Sequence, residues 1–372
     1  MDETYGMLNV LVIGQTPPPY GGQALMIKYL LDSRYEDINL YHVRMNFSRE
    51  FDDRGKFSLY KILHVFEIIW KVWNIRLKHH TTVLYYPISS TPKIAVLRDC
   101  AILVFTRFLY KKVIFHFHAA GISEELPKYN GILKWFVFRI LYKPDIAITS
   151  SRHNPKDAEF LQAKEVKVIP LGIPDENFSE ARKEFANNPY LTVLFVGLLN
   201  STKGEGYLLD AIYRLNTKGL DFRFNIAGKF ESENYKSYFF SQIDKYNLSD
   251  KVKYFGIVTG EDKRKLYLES DIFCFPSYFS SESFGVVLLE AMMYQMPLIG
   301  TKWRGIQSLI EEHSNGYLVD IKNSEQIAEY LMNFYLDRTL VEKMGSKSRN
   351  LFLQKYSLSK YIENITKILV SI

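Results

Sequence analysis

Glu282 and Glu290 stand eight residues apart in Glu282-Ser-Phe-Gly-Val-Val-Leu-Leu-Glu290, behind the strand-like run Asp271-Ile-Phe-Cys-Phe-Pro-Ser277. On a helix running from Glu282, that spacing rises roughly 12 Å and turns the second side chain by only about 80°, so both carboxylates face one groove. The first peptide N–H groups of such a helix, Ser283 to Val286, lack intrahelical partners and form an anion site between the two acids. A diphosphate fits there, with a sugar at one end and a ribose at the other.

Three further segments carry groups suited to such a ligand. Phe195-Val-Gly-Leu-Leu-Asn-Ser-Thr-Lys-Gly204 is a strand, a glycine turn at Gly197 and a lysine, Lys203, whose ammonium can meet the charge of a departing diphosphate. Gly14-Gln-Thr-Pro-Pro-Pro-Tyr-Gly-Gly22 follows the first strand, and Gly21 and Gly22 let backbone approach a phosphate at the next helix N-terminus. This loop is not a GxGxxG fingerprint, and an ordinary Pro/Gly turn is its other reading. In Phe115-His-Phe-His-Ala-Ala-Gly121, His116 and His118 share one strand face. They read as a metal pair or, the reading adopted here, as a core histidine at 116 and a ligand-facing one at 118; no third ligand accompanies them, so no metal site is expected.

These residues must be held at strand ends. Strand-like runs at Leu8 to Gly14, Ile38 to Val43, Thr82 to Tyr86, Val113 to Phe117, Ile146 to Thr149 and Val166 to Ile169 alternate with helical patterns. After a polar interruption over 174–189, read as a linker, the alternation restarts at Leu191. The fold class is therefore α/β: two Rossmann-like, doubly wound parallel-sheet domains facing across a cleft, with ligands at the carboxyl ends of the strands. We place the first domain at 1–175, the second at 190–352, and a C-terminal helix at 353–372 that packs back on the first domain.

At 372 residues and 47% hydrophobic composition the chain supports two packed cores. Its two cysteines, Cys100 and Cys274, lie in apolar surroundings without ligand spacing, which argues against a disulfide framework or zinc site and for a reducing cytoplasm. The start Met1-Asp-Glu shows no leader pattern, and no run approaches the ~18 apolar residues of a membrane span. Charge is uneven: residues 56–143 hold fourteen Lys or Arg against four acids, a local +10 exceeding the +6 of the whole chain. The helical patterns here, with Trp70 and Trp73, read equally as core-facing helices or as a surface for an anionic bilayer. Nucleic acid is disfavoured, because the aromatics lie in apolar helices rather than among the basic residues.

Together these residues resemble the retaining glycosyltransferase family four, whose members have two Rossmann-like domains in the GT-B arrangement. The most specific element is the Glu-x7-Glu motif at Glu282 and Glu290; supporting elements are the Gly21-Gly22 loop, His118, the segment 197–204 and Ser314-Asn-Gly-Tyr-Leu-Val319. The resemblance implies that Glu282 contacts donor-sugar hydroxyls and Glu290 the ribose, with Lys203 and the amides of Ser283, Phe284, Gly285 and Val286 on the diphosphate. It implies catalytic roles for Glu282, His118 and Lys203, with His118 bordering the donor sugar. Backbone recognition of the base is expected near Ile257 and Val258. Two positions depart from the family: Leu198 stands where an arginine is usual, and Gln295 where a glycine is usual.

The function implied is a metal-independent, cofactor-free, retaining sugar transfer from a nucleoside diphosphate sugar, UDP favoured, to a lipid-linked or oligosaccharide acceptor. Its setting would be surface polysaccharide assembly, at the inner face of the cell membrane. Acceptor contacts are expected in 45–57 and 123–130. The rival readings are a nucleotide-sugar epimerase or hydrolase on the same fold, and a weakly catalytic partner subunit, which the loss of arginine at Leu198 would favour.

Overall fold

The computed structural model describes residues 7–18, 21–47, 59–176 and 189–372. It divides into two compact units: residues 1–172 with 358–372, and residues 173–357. Most of the expected linker and of the expected acceptor loop 45–57 lies outside the described residues.

In the first unit the order is β1 (Leu8–Gly14), α1 (Gly22–Asp32), β2 (Ile38–Arg44), α2 (Leu59–His79), β3 (Val83–Pro87) and α3 (Lys93–Thr106). There follow β4 (Lys112–Phe117), α4 (Ile122–Glu125), α5 (Gly131–Leu141), β5 (Ile146–Thr149), α6 (Asp157–Phe160) and β6 (Glu165–Val168). All strands pair in parallel in the order β2-β1-β3-β4-β5-β6. The central strand β3, Val-Leu-Tyr-Tyr-Pro, is buried at every position, as a strand covered on both faces must be. At the edge, β6 reads Glu-Val-Lys-Val and is largely exposed, its charges blunting an open ladder.

The second unit runs β7 (Leu191–Val196), α7 (Glu205–Asn216), β8 (Phe222–Ala227), α8 (Glu233–Lys245), β9 (Val252–Tyr254) and α9 (Gly260–Glu269). It continues with β10 (Ile272–Phe275), α10 (Val286–Met293), β11 (Leu298–Thr301), β12 (Gly316–Val319), α11 (Ser324–Leu336) and α12 (Thr339–Leu351). The parallel order is β12-β11-β10-β7-β8-β9. Helix α7 buries Leu208, Leu209, Ala211, Ile212 and Leu215 at helical spacing, which is what turns that stretch into a covering layer.

The last helix, α13 (Leu358–Val370), belongs to the first unit and buries Tyr361, Ile365, Ile368 and Leu369. Two Rossmann-like doubly wound sheets, the composition of the GT-B fold, are thus present. Each order has one reversal, between β1 and β3 in the first sheet and between β7 and β10 in the second. At such a switch point neighbouring loops leave in opposite directions and open a crevice at the carboxyl ends of the strands.

Candidate functional site

The switch point of the second sheet holds the strongest arrangement. The loop after β7 carries Lys203 and the loop after β10 carries Glu282; their Nζ and Oε2 atoms are 2.6 Å apart. Lys203 is aimed by Asn200, whose buried Oδ1 accepts from Thr202 N at 3.0 Å, Thr202 Oγ1 at 2.9 Å and Lys203 N at 3.1 Å. The ammonium lies over the rings of Phe279 and Phe275, at 4.6 and 5.4 Å from their centroids. Ser277 Oγ donates to Glu282 at 3.3 Å. A cation, a carboxylate and a hydroxyl therefore meet where a charged ligand would dock. Gly204 permits the approach of the two loops: it holds φ +87°, and a Cβ there would stand 2.2 Å from the carbonyl oxygen of Pro276.

The segment that follows departs from expectation. Helix α10 begins at Val286, so Glu282, Ser283 and Phe284 are loop residues, and the two glutamates do not share one helical face. The side chain of Phe284 is buried, its ring 6.0 Å from that of Tyr356, and Gly285 turns the chain at φ +85° before the helix starts. The intrahelically unpartnered amides accordingly begin at Val286 rather than Ser283. Ser283 is packed just as tightly, since a Cβ on Gly305 would come within 1.9 Å of its carbonyl oxygen. Gly305→Ala should force this loop aside. We expect a stability loss of about 1–3 kcal/mol, the usual cost of overpacking, read by urea unfolding, with Glu282 displaced; an unchanged midpoint would refute the tight packing.

Glu290, mid-helix on α10, faces α9. It accepts from Lys263 Nζ at 2.6 Å and Tyr267 Oη at 2.7 Å. Lys263 and Tyr267 are four apart and so share one face of α9. Burial, then the nearby Glu290 carboxylate, hold the Tyr267 hydroxyl well above its ordinary range, so it stays a donor. Neither partner was expected from sequence: a lysine and a tyrosine on an otherwise polar helix look like surface. Gln295, past the end of α10, stands at φ +59°, a backbone state that costs glycine nothing.

Glu205, the first residue of α7, was also missed. It is wholly buried, and neither carboxylate oxygen makes a hydrogen bond of regular geometry. Burial pushes its carboxyl from the usual 4.5 up to about 8; its own amide, Tyr235 and Lys203 offset this only in part.

Around this centre Gly197 donates to Ala227 at 3.0 Å, and Leu199 donates to the Lys229 carbonyl at 2.9 Å. Leu198 is 38% exposed and offers no charge. Ile257 and Val258 follow β9 at the sheet edge, where Gly256 accepts from Gly228 N at 2.7 Å.

The remaining expected residues lie in the first unit. Gly21 precedes α1, which Gly22 opens, at the switch point of that sheet; Arg44 pins the preceding loop by donating to the carbonyls of Thr16, Pro17 and Pro18 at 2.9–3.1 Å. His118 follows β4, its ring centroid 4.0 Å from that of His116. His116 is fully buried with Nδ1 on the Tyr85 hydroxyl, so the core role expected for it fits the structure, although its Nε2 has no hydrogen-bond partner. Burial lowers the His118 pKa to about 3, making it a neutral imidazole at physiological pH. Asp157, buried on α6, fixes the turn after His118 through Gly121 N at 2.7 Å and Ser123 N at 2.8 Å.

Among the described residues no group of three or more His, Cys, Asp or Glu could hold a metal ion. No described helix is long and apolar enough to cross a membrane.

Residues 177–351 match the family described as glycosyl transferases group 1. An uncharacterized glycosyltransferase of Haemophilus influenzae is 30% identical over 194 residues, covering 52% of this chain and 53% of that protein. An amylovoran biosynthesis glycosyltransferase of Erwinia amylovora is 29% identical over 174 residues, 46% of this chain and 42% of its own. The chain spans about half the length of the curated relatives it matches. Among solved structures, Anabaena HepE in complex with UDP-glucose superposes with a TM-score of 0.72 at 18% identity, covering 98% of this chain and 100% of that one.

Proposed function

We propose, on the premise that residues 177–351 are a group 1 glycosyl transferase domain, that the chain transfers a sugar from a nucleoside diphosphate sugar, with retention and without a metal ion, to a lipid-linked or oligosaccharide acceptor. Polysaccharide assembly is the setting that the Erwinia relative's name suggests, and its location in this reading is the inner face of the cell membrane. The observation that carries the proposal is the Lys203–Glu282 pair at the switch point, with Glu290 tethered on α10 behind it.

In this reading the diphosphate lies against Lys203 and the first-turn amides of α10. Glu282 accepts from sugar hydroxyls and Glu290 from the ribose hydroxyls. Lys203 then exchanges its carboxylate partner for the leaving phosphate as the glycosidic bond breaks, and that phosphate takes the acceptor proton. His118, uncharged, can border a developing oxocarbenium ion without repelling it. The Anabaena protein holds UDP-glucose, which makes UDP-sugars the first donors to test.

Thermal unfolding against UDP-, GDP-, ADP- and dTDP-sugars without metal tests the site. A donor that binds the folded state at a hundred times its Kd adds about 2.7 kcal/mol. The expected result is a rise in Tm selective for one base, UDP first, and lost in Glu290→Ala. No rise with any donor at millimolar concentration would sink the proposal. Donor consumption without acceptor would identify a hydrolase or epimerase, and binding without turnover a partner subunit.

A further inference from the structure

The first unit carries an apolar surface that its own core does not use. Helix α2 buries one face, with His64, Ile68 and Val72 against the sheet. Its opposite face is apolar as well: Leu63, Phe66, Trp70, Trp73 and Leu77 recur at steps of three and four and are all exposed, Trp70 at 65%. At helical rise that stripe is roughly 21 Å long. A helix packed on one side is ordinarily polar on the other, and an exposed patch of this extent marks an interaction surface.

The patch continues over two neighbours. The crossovers from β2 to β3, β3 to β4 and β4 to β5 advance in one direction along the sheet, so α2, α3 and α5 lie on one face of it. Trp73 Nε1 donates to the Phe105 carbonyl at 2.9 Å, and its ring meets that of Phe108 edge-on at 5.9 Å. Phe108 is 67% exposed. Arg107 then ties this corner to α5 through the carbonyls of Ile140 and Lys143. On α5, Ile132 is 87% and Trp135 66% exposed, with Phe136 beside them.

Charge selects the occupant. Exposed Lys78, Lys111, Lys112, Lys134 and Arg139 lie on or next to these elements. The acidic residue of α2, Glu67, is neutralised by Lys71 at 2.5 Å, α5 has none, and Asp99 of α3 is buried against Arg98. A second copy of the chain would bring the same positive field against itself, whereas an anionic surface complements it.

We infer that the outward faces of α2, α3 and α5 form a monotopic docking surface for an anionic lipid bilayer, the aromatic and aliphatic side chains entering the interface and the basic ones meeting headgroups. Indole rings suit that depth, and the indole N–H of Trp73 is already satisfied within the protein. This inference deepens the membrane setting of the proposed function but rests on the first unit alone.

The test is co-sedimentation of the full chain with vesicles of equimolar phosphatidylglycerol and phosphatidylcholine, or of phosphatidylcholine alone, with no donor present. Binding to the anionic vesicles is expected, each basic residue engaged adding about fivefold in affinity, and it should weaken as salt is raised. Trp70→Ser/Trp135→Ser should reduce it at least tenfold, and Lys111→Gln/Lys112→Gln should reduce it while flattening the salt dependence. All four positions are exposed, and circular dichroism checks folding. Should a variant fail to fold, quenching of wild-type tryptophan fluorescence by bromine-labelled lipid chains reads insertion directly. Absence of binding, equal binding to both vesicle types, or lack of quenching would overturn the inference; so would a solution dimer that Trp70→Ser dissociates and that binds no vesicle. Since no donor is used, failure here leaves the donor-site proposal standing, and the Tm panel fails or succeeds without lipid.

Discussion

Lys203→Ala is expected to lower kcat by about 10² to 10³, equivalent to ~2.7–4 kcal/mol of barrier, the scale on which a single preorganised donor to a developing anion is measured. The structure explains why one lysine carries that much. Asn200 fixes its backbone, Phe275 and Phe279 flank its ammonium, and only 14% of its side chain is exposed. In such surroundings water screens the charge poorly, and the ammonium has only to pass from Glu282 to the phosphate as the diphosphate leaves. Leu198, at the position where a second cation would be usual, contributes nothing to share the task.

The same substitution strands Glu282, which keeps only the Ser277 hydroxyl. A part-buried acceptor without its partner costs about 1–3 kcal/mol, so a fall in Tm is expected alongside. Lys203→Ala/Glu282→Gln separates the effects: Tm should recover and kcat should not. A Lys203→Ala enzyme within tenfold of wild type at saturating donor would show that another group meets the leaving phosphate.

Glu205→Gln should change stability in a pH-dependent way. The folded-state pKa of Glu205 is raised to about 8 from an ordinary 4.5. Between these values the folded chain holds a proton that the unfolded chain releases, so the contribution is fully present below about pH 4.5 and is lost as pH rises through 8. At 1.36 kcal/mol per unit the loss is on the order of 3–5 kcal/mol. The glutamine variant has no such proton. It should match wild type within about 1 kcal/mol near pH 5 and exceed it by several at pH 9, as read from urea midpoints. The histidine contributions have the opposite sign, since burial lowers His116 and His118, and they cancel in the comparison because both proteins keep them. Parallel pH curves for the two proteins would show that Glu205 is ionised when folded.

Much of this is written locally in the chain. Strands such as Leu191-Thr-Val-Leu-Phe-Val196 are buried on both faces and therefore read as near-continuous apolar runs, which locates them without any partner. Lys203 and Glu282 were legible for a related reason. In a parallel sheet the residues just past the carboxyl end of a strand face the ligand, and glycines beside them mark the turn. Glu205 was not legible: an acid at the first turn of a helix is normally an exposed N-terminal residue stabilised by the helix dipole, and nothing within ten residues shows that Tyr235 lies beside it in a buried setting. Lys263 and Tyr267 escaped in the same way, being polar residues on a polar helix whose partner lies on the next one.

The segment 282–290 divides the two kinds of information most sharply. Residue types alone determined that two carboxylates, an apolar helix and a glycine follow a buried strand, and the order of strands and helices determined two doubly wound sheets. Where the helix starts was decided by the tertiary structure. Phe284 is buried with its ring beside Tyr356 and the chain turns at Gly285, which leaves Glu282 in the loop that meets Lys203. On α2 the sequence could show a broad apolar face, suited to a core or to a bilayer; only the fold shows which part the sheet consumes and which is left facing out, because burial belongs to the neighbours a residue acquires and not to the residue itself.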